Sequence, residues 1–210
     1  MKTRSILLET ILITAITLLG MWFLPAAKTL FALIPIAYLL IERRVRKRTW
    51  RDLGFKRRTF WADLRANWVL FVLLGFVIQP VTALFARAYF PAYLTHVQAR
   101  LPFEAGMNWG ILLPLLAVSL LGEEMTYRTL IQGRLAPFVG VPAAIGIASL
   151  LFGLAHFAPG PALIVAADVG LIVIDSILYG MIFARRNNLW VVWLAHLLGD
   201  IFGLLVLSLV

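Results

Sequence analysis

Three short segments of this chain place acids, imidazoles and a guanidinium inside apolar surroundings. They are Glu123-Glu124-x-x-x-Arg128, Phe152-x-x-x-His156 and His196-x-x-x-Asp200. Ionisable side chains at bilayer depth are costly and mark function by default. Glu124 and Arg128 are four residues apart on a helix, so they share a face and can pair. Glu123 points about 100° away from Glu124 and is left for another partner. Two adjacent acids with one cation suggest one structural and one chemical carboxylate. His196 and Asp200 also share a face, and Asp200 is expected to fix the imidazole tautomer.

Two reaction schemes fit these residue types. In the first, Glu123 takes a proton from water with help from His156, and His196, aided by Asp200, stabilises the oxyanion of a scissile carbonyl. In the second, His156, His196 and one carboxylate hold Zn²⁺ with a water in the fourth position, and the other carboxylate acts as base. The H-E-x-x-H spacing of ordinary zinc peptidases is absent. Cysteine is absent and no serine stands in a motif with a base, which argues against acyl-enzyme chemistry. Asp168 and Asp175 lie seven residues apart in one apolar run and are secondary candidates, as partners of Arg or His. Glu9 and His96 have no evident sequence partner and are read as local.

The elements that carry these residues are long apolar runs. Of 210 residues, 62% are hydrophobic, above the roughly 45–50% of soluble domains, and the mean hydropathy is +0.93. The expected fold is an all-α, polytopic transmembrane bundle of about seven spans: Ser5–Leu24, Thr29–Ile41, Asn67–Ala88, Trp109–Arg134, Val141–Phe157, Ala162–Ala184 and Leu189–Val210. The second is the short one: it either starts inside the Pro25–Lys28 turn or is re-entrant. The fourth is either one tilted helix or a span followed by an amphipathic segment. Ends are marked by Pro25, Pro91 and Pro102, by Pro137, Gly140 and Pro142, by Pro159-Gly160-Pro161 and by Asn187-Asn188. The whole of 1–210 reads as a single membrane domain, with an N-terminal hairpin (1–41), a basic interfacial segment (42–66) and a motif-bearing core (109–205).

The net charge of +9 raises nucleic acid as a partner, but ten of the 19 basic residues lie between Arg43 and Arg65, beside apolar spans. That placement suits anionic lipid headgroups and membrane orientation instead. With seven spans and the N-terminus inside, 16 basic residues fall inside and Lys28, Arg87 and Arg100 outside. The expected topology is therefore N-terminus cytoplasmic, in a cytoplasmic membrane of bacterial type. The N-terminal run reads as an uncleaved span, since Pro25-Ala26-Ala27 is a poor cleavage site. Trp50, Phe55, Phe60 and Trp61 suggest a helix lying along the interface. At 1.5 Å per residue, Glu123, His156 and His196 lie about 18, 22 and 11 Å from the inner ends of their spans. Those depths allow one cavity, open to the inner side.

The three segments, in this order, resemble the CPBP intramembrane peptidases, which include CaaX prenyl endopeptidases and bacteriocin-processing or self-immunity proteins. The family motifs are E-E-x-x-x-R, F-x-x-x-H and H-x-x-x-N/D. Asp52-Leu53-Gly54 also resembles a segment upstream of the core in bacterial members. The resemblance implies that Glu123 and His156 activate water, that His196 and Asp200 stabilise the oxyanion, and that Glu124, Arg128 and Phe152 support them. The chain has Asp200 where the prenyl endopeptidases have Asn; ionised Asp cannot donate to an oxyanion. The implied activity is endopeptidase cleavage of a peptide or membrane-protein substrate. Two other readings stand beside it: a non-enzymatic immunity or regulatory protein on the same scaffold, and a proton-coupled carrier.

Overall fold

The computed structural model describes residues 2–100 and 108–209. Pro102 and Val210, expected to mark ends, lie outside the described residues. The chain is helical, with no strand among the described residues. The main helices are α1 (Lys2–Phe23), α2 (Lys28–Val45), α3 (Phe60–Ala66), α4 (Trp68–Tyr89), α5 (Pro91–Arg100), α6 (Trp109–Val139), α7 (Val141–Ala155), α8 (Ala162–Arg186) and α9 (Leu189–Leu209). Six of them, α1, α2, α4, α6, α8 and α9, are long and apolar enough to cross a membrane. This is an all-α polytopic bundle.

The second span starts inside the Pro25–Lys28 turn, one of its two expected courses, and the short helix lies elsewhere. Pro25–Ala27 forms a 3-10 turn that runs straight into α2, and α2 continues to Val45, so the apolar segment Pro25–Val45 is 21 residues long. Glu42, which seemed to end the span, is buried and paired with Arg134 and Arg46. The short helix is α7, with 15 residues, or about 22 Å. Gly140, at φ 82°, starts it and His156 caps it.

Helix α6 is a single continuous element with a π-helical stretch over Met125–Gln132, and all eight of those residues are buried. A helix buried on every face is normally apolar. This one carries Thr126, Arg128, Thr129 and Gln132. Each finds a partner: Thr126 Oγ1 donates to Gly122 O (2.9 Å), Thr129 Oγ1 to Leu53 O (2.9 Å) and Gln132 Nε2 to Gly180 O (2.9 Å). The stretch therefore forms the axis on which the other helices pack. A second π stretch, Leu73–Val77 in α4, packs against α9. There Gly199 permits the approach: a Cβ at 199 would stand 2.7 Å from the Leu74 carbonyl oxygen. Gly199→Ala is expected to destabilise the protein by about 1–3 kcal/mol through overpacking, read as a fall in thermal unfolding midpoint in detergent. An unchanged midpoint would mean that the two helices have room to part.

The basic segment after α2 is not one interfacial helix. It forms two 3-10 turns, Arg51–Leu53 and Arg57–Thr59, followed by α3. It docks on the motif helices instead of lying along them. Leu53 is buried, Gly54 turns at φ 93°, and Gly54 O accepts from Leu189 N (2.8 Å). Lys56 Nζ donates to Arg186 O (2.7 Å), and Asn188 Nδ2 donates to Lys56 O (3.0 Å) and Asp63 Oδ2 (2.8 Å). Asp52, at the head of the turn, accepts from the Thr49 backbone and hydroxyl, which holds its carboxyl below the ordinary range.

Candidate active site

Glu124, on α6, is fully buried and engaged at both oxygens. Oε2 accepts from Arg128 Nε at 3.0 Å, and Oε1 lies 2.7 Å from His196 Nδ1. Arg128 is equally buried and donates through Nη2 to Ser176 Oγ on α8 (2.9 Å). The i,i+4 pair expected from the sequence is present. The partner of His196 Nδ1 is Glu124, 72 residues away. Asp200 sits on the other nitrogen, with Oδ1 3.9 Å from Nε2. Both groups are four residues apart on α9, but the imidazole plane is set by α6 and by Tyr179, whose ring stacks on it at 4.6 Å and 27°.

Glu123 differs from its neighbour. It is half-buried, and its buried Oε2 has no hydrogen-bond partner among the described residues. It lies within electrostatic reach of His196 and Asp200. His156 caps α7, and its Nδ1 lies 2.8 Å from Phe152 O. A carbonyl only accepts, so Nδ1 carries the proton and Nε2 is the lone-pair nitrogen. Phe152 is buried and touches both imidazoles, with ring centroids 4.4 Å from His156 and 6.0 Å from His196. Tyr127 meets the same ring edge-on at 4.8 Å. The three motif segments thus converge at the Phe152 ring. Gly153 makes room for α8, where a Cβ would stand 3.3 Å from Val169 O.

The donors do not fit the zinc scheme. Among the described residues, no three of His, Asp and Glu are grouped so as to hold a metal ion.

Asp168 finds the His partner expected for such an acid, while the other long-range polar contacts escaped the sequence. Asp168 pairs with His96, Nε2 to Oδ2 at 3.5 Å, so His96 is not a local residue of the α5 segment. Asp175 accepts from Gln79 Nε2 at 2.5 Å. Glu9 also has partners far along the chain: Arg46 Nη2 donates to both its oxygens (2.6 and 2.8 Å), and Tyr38 donates to it. Arg134 binds Tyr38 (3.0 Å) and Glu42, which closes this network between α1, α2 and α6. The only sequence signal for it was the presence of charges near span ends.

Comparison with known proteins points to the same segment. Residues 104–202 match the family described as Type II CAAX prenyl endopeptidase Rce1-like. That segment, a little under half of the chain, is similar to the CPBP intramembrane peptidases. No curated protein and no solved structure matches the chain. The matched family is one of CAAX-type proteases, hence hydrolases, and the match together with the six apolar helices supports an integral membrane protein. Its matched region holds Glu123, Glu124, Arg128, Phe152, His156, His196 and Asp200. Gln79, Glu9, Tyr38 and Glu42 lie outside that region.

Proposed function

We propose that the protein is an intramembrane endopeptidase that hydrolyses a peptide bond with water activated by Glu123 and His156. The observation that carries this reading is the division of labour between adjacent acids. Glu124 is held at both oxygens by Arg128 and His196, whereas Glu123 keeps a buried oxygen with no hydrogen-bond partner among the described residues. A buried acceptor left without a protein donor is an arrangement suited to receiving a proton from water.

Each step conserves atoms and charge. Glu123 accepts a proton from water while the water oxygen bonds to the scissile carbonyl carbon. The second water proton is held by His156 Nε2, the lone-pair nitrogen of that ring. The carbonyl π electrons move onto oxygen, and the oxyanion accepts from His196 Nε2–H. Protonated on both nitrogens, His196 donates Nδ1–H to Glu124 and Nε2–H toward Asp200 and the oxyanion. Collapse breaks the C–N bond, and Glu123 returns its proton to the departing nitrogen. The substrate is a peptide or membrane protein presented within the bilayer. The N-terminus and the basic segment face the cytoplasm.

The test is cleavage of a membrane-embedded peptide reporter by purified protein, with Glu123→Gln as the inactive comparison. Chelation separates this scheme from the zinc one. Cleavage is expected to continue at the same rate in EDTA or 1,10-phenanthroline. A loss of rate that added Zn²⁺ restores would transfer the role of water activation to a metal.

A further inference from the structure

A polar cluster adjoins His196 and Asp200 on residues that the hydrolytic scheme above leaves idle. His196, Asp200 and Gly203 follow one face of α9 at i, i+4 and i+7. Gln79 of α4 lies across that face. A Cβ placed on Gly203 would be 3.3 Å from Gln79 Cβ, 3.8 Å from its Cγ and 3.8 Å from its Oε1. From the other side, α8 supplies Asp175, buried, whose Oδ2 accepts from Gln79 Nε2. Asp175 is itself within electrostatic reach of His196 and Asp200. The groups gathered around the His196 ring on this side are two carboxylates, the Gln79 amide and the hydroxyl of Tyr179, which stacks on the ring and lies against Gly199.

The chemistry of those groups is unequal. A carboxylate only accepts, so neither Asp175 nor Asp200 in that form can donate to negative charge on a substrate oxygen. The Gln79 amide can. Donation to a carboxylate identifies its nitrogen, and that nitrogen carries a second N–H which the Asp175 bond does not use. Asp175 fixes the amide plane, so the second N–H has a set direction. The π stretch Leu73–Val77 lies directly before this turn of α4. It shifts the helical register that presents residue 79, and π insertions recur at functional sites.

We infer that Gln79, oriented by Asp175, is a second oxyanion donor beside His196. The assignment rests on the hydrolytic reading. It makes Gln79 a catalytic residue, contributed by a helix outside the family-matched region, and Asp175 a positioning residue. Gln79 forms and breaks no bond. It donates one N–H to the oxygen that becomes negative and releases it when the carbonyl reforms.

The experiment uses full-length protein in nanodiscs, a prenylated CaaX peptide, and the phosphinate isostere of that peptide as tetrahedral anion. Gln79→Ala is expected to lower kcat about ten- to a hundred-fold, with KM unchanged. It should weaken phosphinate binding by the same factor and leave peptide binding as it was. Asp175→Asn should move the same two quantities in the same direction by less. A purely structural role would instead lower the unfolding midpoint and weaken both ligands alike. Glu123→Gln is run alongside. If Glu123→Gln is inactive while Gln79→Ala keeps wild-type kcat and phosphinate affinity, the Gln79 assignment alone is overturned. If Glu123→Gln cleaves at the wild-type rate, the hydrolytic reading falls and takes the assignment with it. If wild type cleaves no peptide, the phosphinate decides: preference over the peptide that Gln79→Ala removes supports the donor, and equal binding of the two overturns it.

Discussion

Glu123→Gln is expected to slow peptide cleavage by about 10²–10⁴-fold while leaving the fold intact. The factor is that of a general base removed from a hydrolytic step. The substitution keeps the shape of the side chain and takes away its ability to hold a proton. The second half of the expectation follows from burial. Glu123 Oε2 has no hydrogen-bond partner among the described residues, so loss of the negative charge removes a desolvated group without stranding another. The unfolding midpoint should therefore stay level or rise. Residues held in costly environments for chemistry commonly gain stability when replaced. The two readouts are reporter cleavage and thermal unfolding of the same preparation. An active variant, or an inactive variant that is also unstable, would refute this account of Glu123.

Glu124→Ala should show the opposite balance. Glu124 and Arg128 are both fully buried, and the same carboxylate binds His196. Removing one partner of a buried ion pair costs about 3–5 kcal/mol, because the other charge is left without compensation. Glu124→Ala is expected to lose most of its folded yield in detergent and its cleavage with it. Replacing both charges, as Glu124→Leu with Arg128→Leu, should recover much of that stability, since apolar substitutes for a buried pair are often neutral. Cleavage should not return, because His196 would lack the acceptor that sets its tautomer. A Glu124→Ala protein as stable as wild type would show that Arg128 finds compensation elsewhere.

Much of this site was legible in the sequence. The i,i+4 spacing of Glu124 and Arg128 fixes their relation within one helix, and the ion pair is present. What escaped is what depends on rotation between helices. His196 and Asp200 do share a face, but spacing along one helix cannot say which nitrogen meets which helix. Glu124 reaches Nδ1 first. The run of α2 past Ile41 to Val45 escaped because it carries the charge of Glu42. Arg134, 92 residues away, neutralises it inside the bundle. The aromatics of the basic segment suggested one helix, but it forms two turns and a short helix, with Leu53 and Gly54 fastened to α6 and α9. Gln79 carried no sequence signal, because a lone amide in an apolar run is uninformative until Asp175 is placed beside it.

The seam between the two halves of the chain bears on how the protein can be divided. The family-matched residues begin at 104, yet they rely on what precedes them. Thr129 hydroxyl donates to Leu53, the Leu189 amide to Gly54, and the Arg134 guanidinium to Glu42 and Tyr38. A fragment trimmed to the matched residues would leave a cation, an amide and a hydroxyl bare in hydrocarbon, where each missing partner is expensive. The three motif segments are concentrated in one half, but the smallest portable unit is both halves together, and excising the matched region would yield a piece that cannot stand by itself.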